Sequence, residues 1–143
     1  MTTGARRVVA ALSLCFTAAA SASAFAGGDD DEEKIAKAKR PKLVLTLDLR
    51  VGMAPARVML RADLIGGADD YQDFYCPSIE WNWGDGTKSE STFDCLPYHP
   101  GVSEIVRHFA VEHVFQEGMY RVTFRMKRNN KELASARASV SIR

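Results

Sequence analysis

The chain has 143 residues, a formal net charge of +1 and a hydrophobic share of 46%. That length carries one domain with a modest core rather than two. The balanced charge excludes a global field drawing in nucleic acid or an anionic membrane.

Residues 1–26 form a separate object. Arg6 and Arg7 give a positive start, and Val8 to Ala20 is an apolar run of 13 residues. Such a run suits a secretory signal peptide and is too short to span a bilayer. Ala24-Phe25-Ala26 supplies the small-x-small pattern before a cleavage point. Cleavage after Ala26 is therefore expected, leaving 17 basic and 18 acidic residues, a net charge of −1. Cys15 lies inside the apolar run behind Leu14, which does not suit a lipoprotein signal. With no later run of membrane length, the mature chain is expected in the periplasm or secreted, in a bacterium by the alanine-rich signal.

Export governs the reading of the cysteines. Cys76 and Cys95 remain in the mature chain, and two cysteines in an exported chain of this size are expected to pair. No C-x-x-C spacing points to a metal instead.

Residues 27–41 form a leader. Five consecutive acids, Asp29 to Glu33, precede Lys34, Lys37, Lys39 and Arg40, with almost no large apolar side chain. Such a stretch buries too little surface to offset its ordering entropy, so a flexible, solvated segment is expected.

From Lys42 onward the pattern has period two. Leu43, Leu45, Leu47 and Leu49 alternate with polar or smaller residues, and Gly52 to Pro55 breaks the run. Val58, Leu60, Ala62 and Leu64 form a second alternation, ended by Gly66-Gly67. Each reads as a half-buried strand. Ala68 to Pro77 reads as a loop mixing acids and aromatics. Ile79, Trp81 and Trp83 form the apolar face of a third strand, closed by Gly84-Asp85-Gly86. Thr87 to Val111 reads as a long irregular connection, with Ser103 to Val111 open between strand and helix. Tyr120, Val122, Phe124 and Met126 form another strand, Asn129-Asn130 a hairpin turn, and Ala134 to Ile142 the last strand. Short alternating strands without a convincing helix predict an antiparallel β-sandwich.

Three motifs recur in order: Trp81-Asn82-Trp83-Gly84-Asp85-Gly86, His113-Val114-Phe115, and Gly118-x-Tyr120-x-Val122. Together they resemble the polycystic-kidney-disease (PKD) type of immunoglobulin-like domain. That family has W-x-F-G-D-G, then His-x-Tyr or His-x-Phe, then G-x-Y-x-V. The resemblance covers roughly Lys42 to Arg143 and implies a binding or spacer module rather than an enzyme. Trp81 is expected between the sheets, Asp85 to lock its turn through backbone amides, and Tyr120 to offer its ring to the core and its hydroxyl to backbone. The long connection after Gly86 and the two cysteines depart from the family pattern.

Catalysis and metals find little footing. His99, His108 and His113 are the histidines, and no G-x-S-x-G motif is present. His108 and His113 have the wrong phase for a shared zinc site on one element. Asp69, Asp70 and Asp73 could offer oxygen to calcium, but without EF-hand spacing. No cofactor and no metal are expected. Arg121, Arg125 and Lys127 share one strand face, and Arg137 and Arg143 another; these read as the ordinary solvent face of a sheet.

The candidate binding residues are the loop aromatics Tyr71, Phe74, Tyr75, Phe93 and Tyr98, with Leu96 beside them. They are either contact anchors or local packing around the disulfide. The expected function is non-catalytic contact with a protein or polysaccharide outside the cytoplasm. A spacer or accessory subunit of an envelope assembly is the alternative, and a small hydrolase stands third.

Overall fold

The computed structural model describes residues 40–143; the expected signal peptide and most of the leader lie outside the described residues. Eight strands form two sheets. They are β1 (Lys42–Leu47), β2 (Val51–Gly52), β3 (Ala56–Ile65), β4 (Ser78–Asn82), β5 (Lys88–Ser91), β6 (His108–Phe115), β7 (Gly118–Arg128) and β8 (Lys131–Ile142). The one helical element among the described residues is a single 3₁₀ turn, Gln72–Phe74.

The first sheet has the order β1-β3-β6 and the second β2-β8-β7-β4-β5. All pairings are antiparallel except β2 with β8. The chain leaves the first sheet after Leu47 and joins the second at Val51, so the two layers are stitched along one edge. This is an immunoglobulin-like β-sandwich.

The alternation read from the sequence is the alternation that packs. Along β3, Ala56, Val58, Leu60, Ala62 and Leu64 are buried and the residues between them are not. Opposing them are Ile79, Trp81, Val122, Phe124, Met126, Val140 and Ile142 from the second sheet. Trp81 lies opposite Phe124 in the β4–β7 register, with ring centroids 4.5 Å apart. Phe124 in turn meets Phe109 of the other sheet at 5.4 Å. Asn129 and Asn130 both take positive φ, 49° and 63°, which suits the two-residue hairpin between β7 and β8.

The stretch 87–111 differs from the expectation of an irregular connection. Strand β5 lies within it, paired with β4 at the sheet edge. Its residues, Lys88-Ser89-Glu90-Ser91, are exposed at every position and carry no apolar side chain. An edge strand with no buried face leaves no alternation to read. The open choice for Ser103 to Val111 resolves as strand from His108, with Phe109, Val111, His113 and Phe115 facing inward.

The registers place the connections at two ends. Asp63 of β3 lies opposite His108 of β6, Ser78 of β4 opposite Lys127 of β7, and Ile79 opposite Ser91. So 66–77, 92–107 and the β7–β8 hairpin share one end. The Gly84-Asp85-Gly86 turn, Gln116-Glu117 and the segment before β3 occupy the other.

Candidate functional site

The three sequence motifs converge at the turn end. The Trp83 indole stacks on the His113 ring, centroids 4.1 Å apart and planes 4° apart. His113 Nε2 lies 3.1 Å from Asp85 Oδ2. The other oxygen of Asp85 accepts from the Thr87 amide at 2.8 Å and from its hydroxyl. Burial works against the charged form of Asp85. The Thr87 hydrogen bonds and the contact with His113 outweigh it, and the carboxyl sits below its ordinary value. Gly84 takes φ +81°, and a Cβ there would lie 2.8 Å from the Arg121 carbonyl oxygen. The turn therefore needs glycine both for its conformation and for its approach to β7. Phe115 meets Tyr120 at 4.9 Å, and the Tyr120 hydroxyl donates to the Glu117 carbonyl. Val122 is fully buried. Trp83, Asp85, His113, Phe115 and Tyr120 thus contact one another across the motifs, and the cluster clamps β4, β6 and β7 together.

The loop end is built differently. Cys76 and Cys95 form a disulfide with Cα atoms 6.1 Å apart, tying 66–77 to 92–107. Tyr75 and Tyr98 pack edge to face at 5.4 Å. The Tyr75 hydroxyl donates to the Leu96 carbonyl at 3.0 Å, and the Tyr98 hydroxyl to the Asp70 carbonyl at 2.6 Å. Arg107 donates to the Leu64 and Gly66 carbonyls and to Asp69. The Ile105 amide donates to the Asp69 carbonyl at 2.8 Å. Arg128 of the hairpin reaches the Gln72 carbonyl at 2.8 Å. Cross-links of this density hold an irregular segment in one shape without strand pairing.

The aromatics predicted for this end divide by position. Phe74 has no exposed surface; it plugs the core and cannot touch a ligand, a correction to its place among the contact residues. An aromatic in the single 3₁₀ turn faces inward because the turn caps the open end of the sandwich. Tyr71 packs on Phe74 at 5.6 Å and is half-buried. Tyr75 and Tyr98 spend their rings on each other and their hydroxyls on backbone. Phe93 alone of the five is exposed, at 44%. Beside it on 92–107 stand Leu96, Val102 and Val106, exposed at 81%, 78% and 55%. The sequence reading passed over Val102, Val106 and Arg107; their spacing on an irregular segment has no period that could mark them as outward.

Of Asp69, Asp70 and Asp73, the first two are engaged within the loop end. Asp69 pairs with Arg107 at 2.6 Å, and Asp70 accepts from the Gly101 amide. Among the described residues, no group of three or more His, Cys, Asp or Glu side chains is arranged to hold a metal.

A charged cluster on the outer face of the second sheet was not foreseen. Glu80 is only 3% exposed, although its neighbours Ile79 and Trp81 point inward. It lies opposite Arg125 in register and accepts from both Arg125 and Lys127. Lys127 above all, with Arg125, overcomes the burial penalty and holds the Glu80 carboxyl at about 2. The Lys127 ammonium is raised in turn by that carboxylate. Because the folded value lies below the unfolded one, the contribution of Glu80 is complete above pH about 4.5 and lost as pH falls toward about 2. Urea melts across that interval should show a steeper acid loss for the native chain than for Glu80→Gln. At neutral pH the variant should be less stable by about 1–3 kcal/mol, the worth of hydrogen bonds to a charged group. Parallel acid profiles for the two chains would remove Glu80 from the account.

No family model matches the chain, and no curated protein matches it. Among solved structures, it is similar to the CARDB domain of the PF1109 protein from Pyrococcus furiosus, crystallised in complex with di-metal ions. The likeness covers 73% of this chain and 94% of that one, at 15% identity and a TM-score of 0.41. A likeness of that degree says nothing of what this chain binds. No helix among the described residues is long and apolar enough to cross a membrane.

Proposed function

We propose that this chain is an exported, non-catalytic, PKD-like module that binds a partner protein through the loop end of its sandwich. The observation that carries the reading is the exposure of Phe93, Leu96, Val102 and Val106 on one connection held by a disulfide and by the hydroxyls of two half-buried tyrosines. Exposed apolar side chains on a fixed loop invite a partner that covers them, and rigidity lowers the entropy lost on binding. A protein suits this surface better than a polysaccharide. Sugar rings stack on open aromatic faces, and the exposed side chains here are chiefly the aliphatic Leu96, Val102 and Val106, with Phe93 the one exposed aromatic of the five. The disulfide is compatible with an oxidising compartment and so with export. The clustering of Trp83, Asp85, His113, Phe115 and Tyr120 supports the PKD-like reading, since each motif residue has a structural partner in another motif. In that reading His113 is spent on clamping strands rather than on chemistry.

The test uses the chain from Gly27 as bait against envelope extract, beside a bait carrying Leu96→Ser and Val102→Ser. Both side chains are exposed, so the melting curve should hardly move, by about 0.5 kcal/mol or less. A partner protein held by the native bait should be retained at least about tenfold less by the variant, as expected for loss of apolar anchors. Equal retention by both baits would remove the loop end from the binding role, and retention of no protein would favour a spacer.

A further inference from the structure

We infer a second binding surface, at the opposite end of the molecule: a basic groove that takes an extended acidic segment of a partner polypeptide. The groove lies on the outer face of the five-stranded sheet, where β2 and β7 flank β8, and encloses about 470 Å³. Arg50, Val51, Met119, Arg121, Ser139 and Ser141 line it.

The strand register orders these side chains in rows. Val51, Ser141 and Met119 form the first, Ser139 and Arg121 the second, and Arg137 with Thr123 the third. The first row is apolar at both ends: Val51 is 60% exposed and Met119 87%. The following rows carry arginine. Arg50, Arg121, Arg137 and Arg143 form no ion pair with any described residue, unlike Arg125 and Lys127, which are clamped on Glu80. No acidic side chain occurs from Ser135 to Arg143, nor in β7 from Gly118 to Arg128. The cationic charge is therefore unanswered on this half of the sheet and balanced on the other half.

This pattern specifies its occupant. Rows recur every second residue, about 6.8 Å apart, the repeat of side chains on one face of an extended chain. Guanidinium groups pair with carboxylates through parallel N–H donors. Val51 and Met119 ask for an apolar side chain next to those carboxylates. A polypeptide with an apolar residue followed, two and four residues on, by acidic residues carries all three on one face and offers both, whereas an acidic polysaccharide offers the charge alone. Exposed ion pairs are individually weak, so binding rests on several pairs together with the apolar row and weakens with salt.

The probe is a labelled octapeptide with leucine second, glutamate fourth and sixth and serine elsewhere, so that all three face one way when extended, followed by fluorescence anisotropy with the chain from Gly27. The same peptide with glutamine in place of glutamate, and an oligogalacturonate, serve as competitors. The expected result is binding that R121E/R137E weakens at least about tenfold and M119S about threefold, with melting curves unchanged, as when several surface pairs and one apolar contact act together. Should the double charge reversal fail to fold, Arg121→Gln with Arg137→Gln and the M119S arm decide the same question. Absence of binding overturns the proposal, as does binding indifferent to these substitutions. Equal competition by oligogalacturonate, or by the glutamine peptide, also overturns it. A last arm neutralises Asp29 to Glu33; binding seen only in that form would mean the chain's own acids fill the groove, and the partner reading fails. None of these arms involves Leu96 or Val102, so the outcome is independent of the loop end.

Discussion

Replacing Trp81 with alanine is expected to lower the stability of this domain by about 3–5 kcal/mol, the range for truncating a large buried aromatic. Trp81 is 4% exposed, 4.5 Å from the Phe124 ring and stacked 5.7 Å from Trp83. Its removal empties the space between the sheets at the point where β4 meets β7. The neighbours are strand residues with fixed backbone, so the cavity can collapse only in part. A small domain has about 5–15 kcal/mol in all, so the variant should sit near the edge of folding. Denaturant melts of the two chains check this. A loss below about 1 kcal/mol, as for a surface site, would mean Trp81 is not where the account puts it.

Replacing Cys76 and Cys95 together with serine should cost about 3 kcal/mol in the chain-entropy picture, for a cross-link spanning 19 residues. The loss should be local in its structural effect. Neither cysteine lies in a strand, and the sheets close around Trp81, Phe124 and Phe109 without them. Amide hydrogen exchange should therefore accelerate most across 66–77 and 92–107, while β3, β7 and β8 keep their protection. Tyr75 and Tyr98 hold the same connection by hydrogen bonds, and those bonds depend on the geometry that the disulfide sets. Equal acceleration in β7 and in 92–107 would show that the cross-link supports the whole sandwich instead of one end.

The parts of the fold that were legible beforehand are those where burial is one-sided. β1, β3 and β8, and β7 apart from Thr123, alternate because one face meets the core and the other faces outward, and that contrast is written residue by residue. The motif residues were legible for a related reason. Gly84, Asp85 and His113 make contacts that few other side chains could replace, so their identities carry the geometry. β5 was illegible because it has no buried face at all. Glu80 was illegible because its burial comes from Arg125 and Lys127 on a neighbouring strand, a pairing that needs the β4–β7 register. At the loop end, the aromatics marked the two segments that the disulfide joins. Only the fold could divide them into interior Phe74, mutually packed Tyr75 and Tyr98, and exposed Phe93. Leu96 and Val102 face outward because the backbone of 92–107 is held by Arg107, the disulfide and two tyrosine hydroxyls, none of which imposes a period.

A loop end that binds a partner should meet a protein in the cell. The most direct measurement is site-specific photo-crosslinking in the producing organism, with benzoyl-phenylalanine placed at Leu96 in one strain and at Val114 in another. Both positions are exposed, at 81% and 47%, and Val114 lies near the opposite end beside Arg57. A discrete protein adduct at position 96 and none at 114 is the predicted result. An adduct at 114 alone, or none at either position, would contradict it.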